Sequence, residues 1–286
     1  MTSFFGIVIA IGWVFSQIYG NPRILYIAVI FSVLMNVVSY WFSDKIVLAM
    51  HQAKPVDMRS NPELYRILEN LTIAGGLPMP KFYLIDDPAP NAFATGRNPQ
   101  HAVVAATTGL IERLDRSELE GVLAHELSHI GNRDMLISTM AVVLVGFISI
   151  ISDMFMRSLW WGRMGGNNDN NRNRGGILIL AGIVLSILSP LIATLLRLAI
   201  SRRRELLADA SGALLTRYPE GLASALRKIS SYSRPLRTAN NATAHLFFEN
   251  PFGADNKNRE RKTPWLIKMF STHPPIEERI AALENK

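Results

Sequence analysis

Four uncharged apolar stretches divide the chain, and shorter segments with helical or alternating periodicity fill the spaces between them. The first stretch runs from Phe4 to Tyr19, and after Asn21-Pro22-Arg23 a second runs from Ile24 to Phe42. Each is long enough to cross the roughly 30 Å hydrocarbon layer. The turn-forming Gly20-Asn21-Pro22 makes the two a transmembrane hairpin. A cleaved signal peptide is the alternative for the first, but no basic region or small-residue cleavage signature accompanies it. Met135 to Ser152 and Gly175 to Leu196 repeat the pattern, the latter containing Pro190, which a span tolerates when neighbours satisfy the freed carbonyl. Buried helices of a large domain are the alternative for this pair; their uninterrupted length favours spanning. Between them, in loop 157–176, the stretch from Gly165 to Gly176 is polar and of low complexity, with nothing to drive packing.

The intervening segments carry other periods. Asn61-Pro62-Glu63 has the capping residue and first-position proline of a helix start, and apolar residues recur at helical spacing from Leu64 to Ile73 before Gly75-Gly76. Lys81 to Asp86, Asn91 to Gly96 and His101 to Thr107 read as three short strands. Ser117 and Glu120 are spaced as a capping box for the next helix, whose apolar face is Leu119, Val122, Leu123 and Leu127. Beyond the fourth apolar stretch, Leu222, Ala225, Leu226 and Ile229 mark a further helix, Gly253 to Thr263 a charged surface loop, and Thr272-His273-Pro274-Pro275 the entry to a last short helix.

The fold class expected is therefore a mainly α integral membrane protein: four transmembrane helices and a small α+β domain. The hairpins occupy 1–42 and 135–196, and the domain is assembled from 43–134 and 197–286.

Composition narrows the chemistry. The absence of cysteine among 286 residues excludes a thiol nucleophile, thiolate-held zinc and disulfides. A net charge of +7 suits anionic lipid or nucleic acid. The basic residues flank apolar runs and no nucleic-acid motif is present, which points to the membrane. No phosphate-binding glycine loop is found, so no nucleotide is expected. Counting the basic residues near the span ends, nine (Lys45, Lys54, Arg59, Arg116, Arg133, Arg197 and Arg202 to Arg204) lie on the domain side, against five (Arg23, Arg157, Arg163, Arg172 and Arg174) on the other. The bias places the domain and both termini on the cytoplasmic face of the bacterial inner membrane.

The candidate chemistry lies in His125-Glu126-Leu127-Ser128-His129. Histidines four apart share one helix face, so both imidazoles can reach a single ion, and the intervening glutamate sits close enough to act on a water there. The alternative, a solvated helix with incidental histidines, fits poorly with a capped amphipathic segment. A catalytic zinc needs three protein ligands, and without cysteine the third is His, Asp or Glu. Glu205 is the best candidate, with Asp209 one turn on to hold the spare N–H of a ligand histidine. From spacing alone, a juxtamembrane Arg-Arg-Arg-Glu helix with ordinary surface pairs stays open.

Taken together, His125 to His129, Ser201-Arg-Arg-Arg-Glu-Leu-Leu-Ala-Asp209, Asn91-Ala-Phe-Ala-Thr-Gly96 and Thr272-His-Pro-Pro275, in this order among four apolar spans, resemble the HtpX family of membrane zinc metalloproteases. That family is related to the CAAX prenyl proteases and the thermolysin-like zincins. The resemblance covers essentially the whole chain; Leu206 departs from it, standing where the family often has an aromatic residue. It implies a zincin-type protease domain with one Zn²⁺ held by His125, His129 and Glu205, and Asp209 behind them. Asn91 and Ala92 are implied on an edge strand that pairs with substrate backbone, and His273 as an oxyanion stabiliser. Two neutral histidines and a carboxylate leave the ion with a charge of about +1, enough to acidify a bound water for Glu126 to deprotonate. The function expected is endoproteolysis of misfolded membrane proteins and exposed cytoplasmic segments, in the lipid bilayer. A zinc transporter or an inactive scaffold is the rival; an intramembrane site is disfavoured because the motif precedes its apolar run. His129 falls six residues before the third apolar stretch and Glu205 nine after the fourth, so that hairpin is expected to hold the two halves of the site together.

Overall fold

The structure, a computed structural model, describes residues 9, 13, 16, 17, 20–136, 138, 139, 141, 142, 201–240, 242–253 and 274–284, without the side chains of 24, 35, 36 and 39. The fourth apolar stretch and most of the first and third lie outside these residues, as do the expected surface loop beyond Gly253 and His273. The second coincides with helix α1, Arg23–Met50, whose Tyr26, Ile27, Ile30, Val33, Leu34, Val37 and Trp41 are exposed. Among the residues described, no helix is long and apolar enough to cross a membrane.

The chain divides into two units, Met1–Ser43 with Val143–Thr194, and Asp44–Val142 with Leu195–Lys286. In the second, a four-stranded sheet is ordered β1-β2-β4-β3 from β1 (Lys54–Val56), β2 (Lys81–Ile85), β3 (Ala92–Gly96) and β4 (Ala102–Thr107). β2 and β4 are parallel; β1 and β3 close the two edges antiparallel to their neighbours. The three strands expected from the sequence are β2, β3 and β4. The three-residue β1 carries too little alternation to be read, and it exists because it pairs with β2.

Helices α2 (Pro62–Ala74), α3 (Thr108–Arg113), α4 (Arg116–Gly131), α5 (Arg202–Thr216), α6 (Pro219–Ser230) and α7 (Ile276–Glu284) complete the unit. Their apolar faces meet in one core: Leu64, Ile67 and Leu68 of α2, Leu119, Val122, Leu123 and Leu127 of α4, and Leu222, Leu226 and Ile229 of α6, with Val104 and Ala106 of the sheet. α4 is central and almost wholly buried.

Two glycines set how near its neighbours come. A Cβ at Gly121 would stand 2.8 Å from the backbone nitrogen of Leu222 on α6. A Cβ at Gly212 of α5 would stand 2.9 Å from the backbone nitrogen of His125 and 3.2 Å from the carbonyl carbon of Ala124. At position 212 the two helices touch backbone to backbone, and any side chain there separates them. Gly212→Ala is expected to cost about 1–3 kcal/mol of stability through this overpacking, read as a lower denaturation midpoint of the purified chain.

Candidate metal centre

The start of α4 is fixed by side chains and not by its own propensity. Asp115 is the N-cap, accepting from the Glu118 backbone N–H at 3.0 Å, while Glu118 Oε2 accepts from the Asp115 N–H at 2.9 Å. The capping box expected at Ser117 and Glu120 is thus Asp115 and Glu118; Ser117 only donates to the Asp115 carboxylate at 2.8 Å. Asp outranks Ser here because it accepts from both at once. Buried Glu118 also takes hydrogen bonds from Ser224 and Lys228 of α6, both at 2.6 Å, which pins the helix start.

Two turns further on, the imidazoles of His125 and His129 face each other, Nε2 to Nε2 at 3.1 Å. Glu205, from the first turn of α5, points its two carboxylate oxygens at them: Oε1 is 3.5 Å from His129 Nε2, and Oε2 is 3.8 Å from His125 Nε2. Zn–ligand bonds of about 2.0–2.2 Å set tetrahedron edges of about 3.3–3.5 Å. The donors fall in that range to within a few tenths of an ångström, and two nitrogens with one carboxylate are a donor set zinc accepts. The residues present fit a divalent metal. Glu126, also buried, lines the same cleft, with Ala94, Met135, Arg204 and the segment 245–248.

Behind each imidazole stands a carboxylate. Asp209 Oδ1 is 2.9 Å from His125 Nδ1, and Asp134 Oδ2 is 3.2 Å from His129 Nδ1. A carboxylate only accepts, so each Nδ1 carries a proton, and in the neutral form of each ring Nε2 presents its lone pair to the cluster. Asp209 is gripped by Arg279 of α7, whose Nε donates to Oδ2 at 2.8 Å and Nη2 to Oδ1 at 2.7 Å. Arg279 is completely buried, lies over the Phe248 ring at 4.7 Å, and donates from Nη1 to the Phe248 carbonyl at 3.3 Å. Burial alone would raise Asp209, but hydrogen bonds and charge from Arg279, with help from His125, hold it at about 2. The two ligand histidines are driven apart. Burial, with the Arg279 and His129 charges, takes His125 down to about 4 against the pull of Asp209. Burial also presses on His129, yet Asp134, Glu205 and Glu126 together raise it to about 9.

The edge strand differs from expectation. Asn91 and Ala92 are engaged by the chain itself: Asn91 Nδ2 donates to the Glu249 carbonyl at 2.8 Å, and Asn91 Oδ1 accepts from the Glu249 N–H at 3.1 Å. The Phe248 N–H donates to the Ala92 carbonyl at 2.8 Å, and Phe93 pairs antiparallel with Phe247. A peptide cannot use groups already satisfied in this way. Strand alternation turns the Ala94 main chain to the same outer edge as Ala92, and Ala94 lines the cleft.

Three residues of the site went unread in the sequence. Arg279 has a local signal, because it takes a core phase among Ile276, Ile280 and Leu283 of α7. A charge on an apolar face asks for a buried partner. Asp134 and Arg204 have no such signal, since their meeting depends on how α4 ends and α5 begins.

A histidine pair and a glutamate on facing helices, under the edge strand of a small mixed sheet, define a zincin-like metallopeptidase. Residues 58–286 match the description Peptidase family M48. A "Protease HtpX homolog" of Caldanaerobacter subterraneus subsp. tengcongensis is 48% identical over 283 residues, covering 98% of this chain and 90% of that one. One from Pyrococcus furiosus is 46% identical, over 98% and 91%. The fold is similar to that described as "Crystal Structure of S. mikatae Ste24p", with a TM-score of 0.53 at 18% identity, covering 98% of this chain and 62% of that one. The chain belongs to peptidase family M48, among its HtpX proteases, and is a metalloprotease.

Removing Arg279 strands a buried carboxylate. Arg279→Met is expected to cost about 3–5 kcal/mol, measured by chemical denaturation, and Arg279→Lys to recover only part because a single ammonium does not fill both oxygens.

Proposed function

We propose that this metalloprotease is a membrane-anchored, zinc-dependent endopeptidase that cuts misfolded membrane proteins and exposed cytoplasmic segments. The observation that carries the reading is the convergence of His125, His129 and Glu205, whose ligand atoms lie within 4.8 Å of one another, with Glu126 in the same cleft. When bound there, zinc supplies a Lewis acid that acidifies a water and polarises the scissile carbonyl.

The chain's own residues do the rest. His125 and His129 keep a proton on Nδ1, against Asp209 and Asp134, so Nε2 of each ring is the atom left for a ligand bond. The Glu126 carboxylate takes the proton of the attacking water and returns it to the departing amine nitrogen, so that one water and one peptide bond give one acid and one amine. An extended peptide lying in the cleft beside Ala94 is held by main-chain groups, which every residue has, and side-chain preference is left to the walls. Phe247 and Phe248 are the apolar wall. In keeping with the family resemblance, His273 is assigned to the developing oxyanion. A zinc transporter does not need a general base beside its ligands, and the family favours the peptidase.

Anchoring in the cytoplasmic membrane rests on the four apolar stretches and on the exposed apolar face of α1. Extended, already loosened substrates suit a sequence in which no phosphate-binding glycine loop is found.

Glu126→Gln in the purified full-length chain should keep about one zinc per chain by metal analysis and lose casein cleavage by at least about 10²-fold. A chelator should abolish wild-type cleavage and added zinc restore it. A zinc-loaded, fully active Glu126→Gln variant would sink the assignment.

A further inference from the structure

The two ligand histidines are held by matching arms of unequal exposure. On the first, His125 Nδ1 meets Asp209, and Asp209 meets Arg279, all sealed in the core. On the second, His129 Nδ1 meets Asp134 at 3.2 Å, and Asp134 Oδ1 lies 3.7 Å from Arg204 Nε. Here the carboxylate side chain is 13% exposed and the guanidinium side chain 22%, and both line the cleft.

The backbone between His129 and Asp134 is built to bring them together. α4 stops at Asn132, Arg133 adopts a left-handed φ of 61°, and the Asp134 N–H returns to the His129 carbonyl at 3.0 Å. That closure is a Schellman-type end with arginine where glycine is usual. A non-glycine residue in this region costs of order 1 kcal/mol, and the turn it permits folds the Asp134 carboxylate back over the ring it contacts. Arg204 then reaches Asp134 from the residue directly before the ligand Glu205, so one turn of α5 touches two parts of the cluster.

We propose that Asp134, steadied by Arg204, is a second positioning residue of the metal centre, orienting His129 as Asp209 orients His125. The inference rests on the zinc-peptidase reading. It makes the outer ligand the adjustable one, since its arm stands at the cleft where a peptide enters and the inner arm does not.

The test uses the full chain purified in detergent and loaded with zinc, with metal release to an excess of chelator followed by a zinc dye. Asp134→Ala should release zinc about 10–100-fold faster than wild type, and its cobalt-substituted form should show altered visible bands. Asp134→Asn keeps an oxygen that accepts from Nδ1–H and should fall nearer to wild type. The denaturation midpoint of the metal-free chain should be similar in all three, which separates orientation of the ligand from general loss of structure. Should Asp134→Ala fail to accumulate, Asp134→Ser, too short to reach the ring, takes its place in the same ranking. Release from the Ala or Ser variant at the wild-type rate, or release from Asn as fast as from Ala, overturns the proposal. A wild-type chain that takes up no zinc overturns the zinc reading instead, and the two failures are distinguished in the one experiment.

Discussion

Everything at the site depends on the backbone contact of α4 with α5. Glycine at 212 lets α5 approach the His125 peptide to within the width of a single missing methyl group. From that approach follow the donor distances of 3.1 to 3.8 Å among His125, His129 and Glu205 and the 2.9 Å contact of Asp209 with His125. A helix pair spaced by ordinary side chains stands about 8–10 Å apart, and short carboxylate side chains then bridge poorly to a facing imidazole. The catalytic spacing is therefore set by packing, and packing is set where a side chain is absent.

The second constraint is charge. The cluster gathers Glu126, Glu205, Asp134 and Asp209 around two imidazoles in a largely buried volume. Anions this close repel one another strongly when desolvated. Arg279 and Arg204 offset two of them, and a divalent cation would offset the rest. The histidines meet opposite fates across the 3.1 Å between their nitrogens: burial takes His125 down to about 4, while the carboxylates around His129 outweigh burial and lift it to about 9. Arg279 shields the inner ring, while the outer one faces three carboxylates.

What the sequence disclosed and what it concealed divide by range. His125 and His129 were legible because one helix period places them together, and Asp209 because it lies one turn from Glu205. Glu205 itself stayed open on spacing, since its partner is 76 positions away (205 − 129) and only packing joins them. The cap slipped from Asp115 to Ser117 because both residue types cap helices and only geometry chooses. Asp134 was invisible for a stronger reason: it reaches its partner through a left-handed arginine, a conformation local preferences argue against. The engagement of Asn91 by Glu249 is nonlocal in the same way, spanning 158 positions.

That last contact bears on how the protease handles its substrates. An unpaired sheet edge recruits any extended chain, including a second copy of the protein, so folded proteins cover or shorten such edges. Here the segment 246–249 covers β3 from Ala92 to Ala94, since the antiparallel bridge of Phe93 with Phe247 sets Phe248 beside Ala92 and Leu246 beside Ala94. Phe248 links this covering segment to the metal centre, since its N–H is bonded to Ala92, its carbonyl to Arg279, and its ring packs against His125 with centroids 5.0 Å apart. One residue thus ties the covered edge of the sheet to the inner arm of the ligand set.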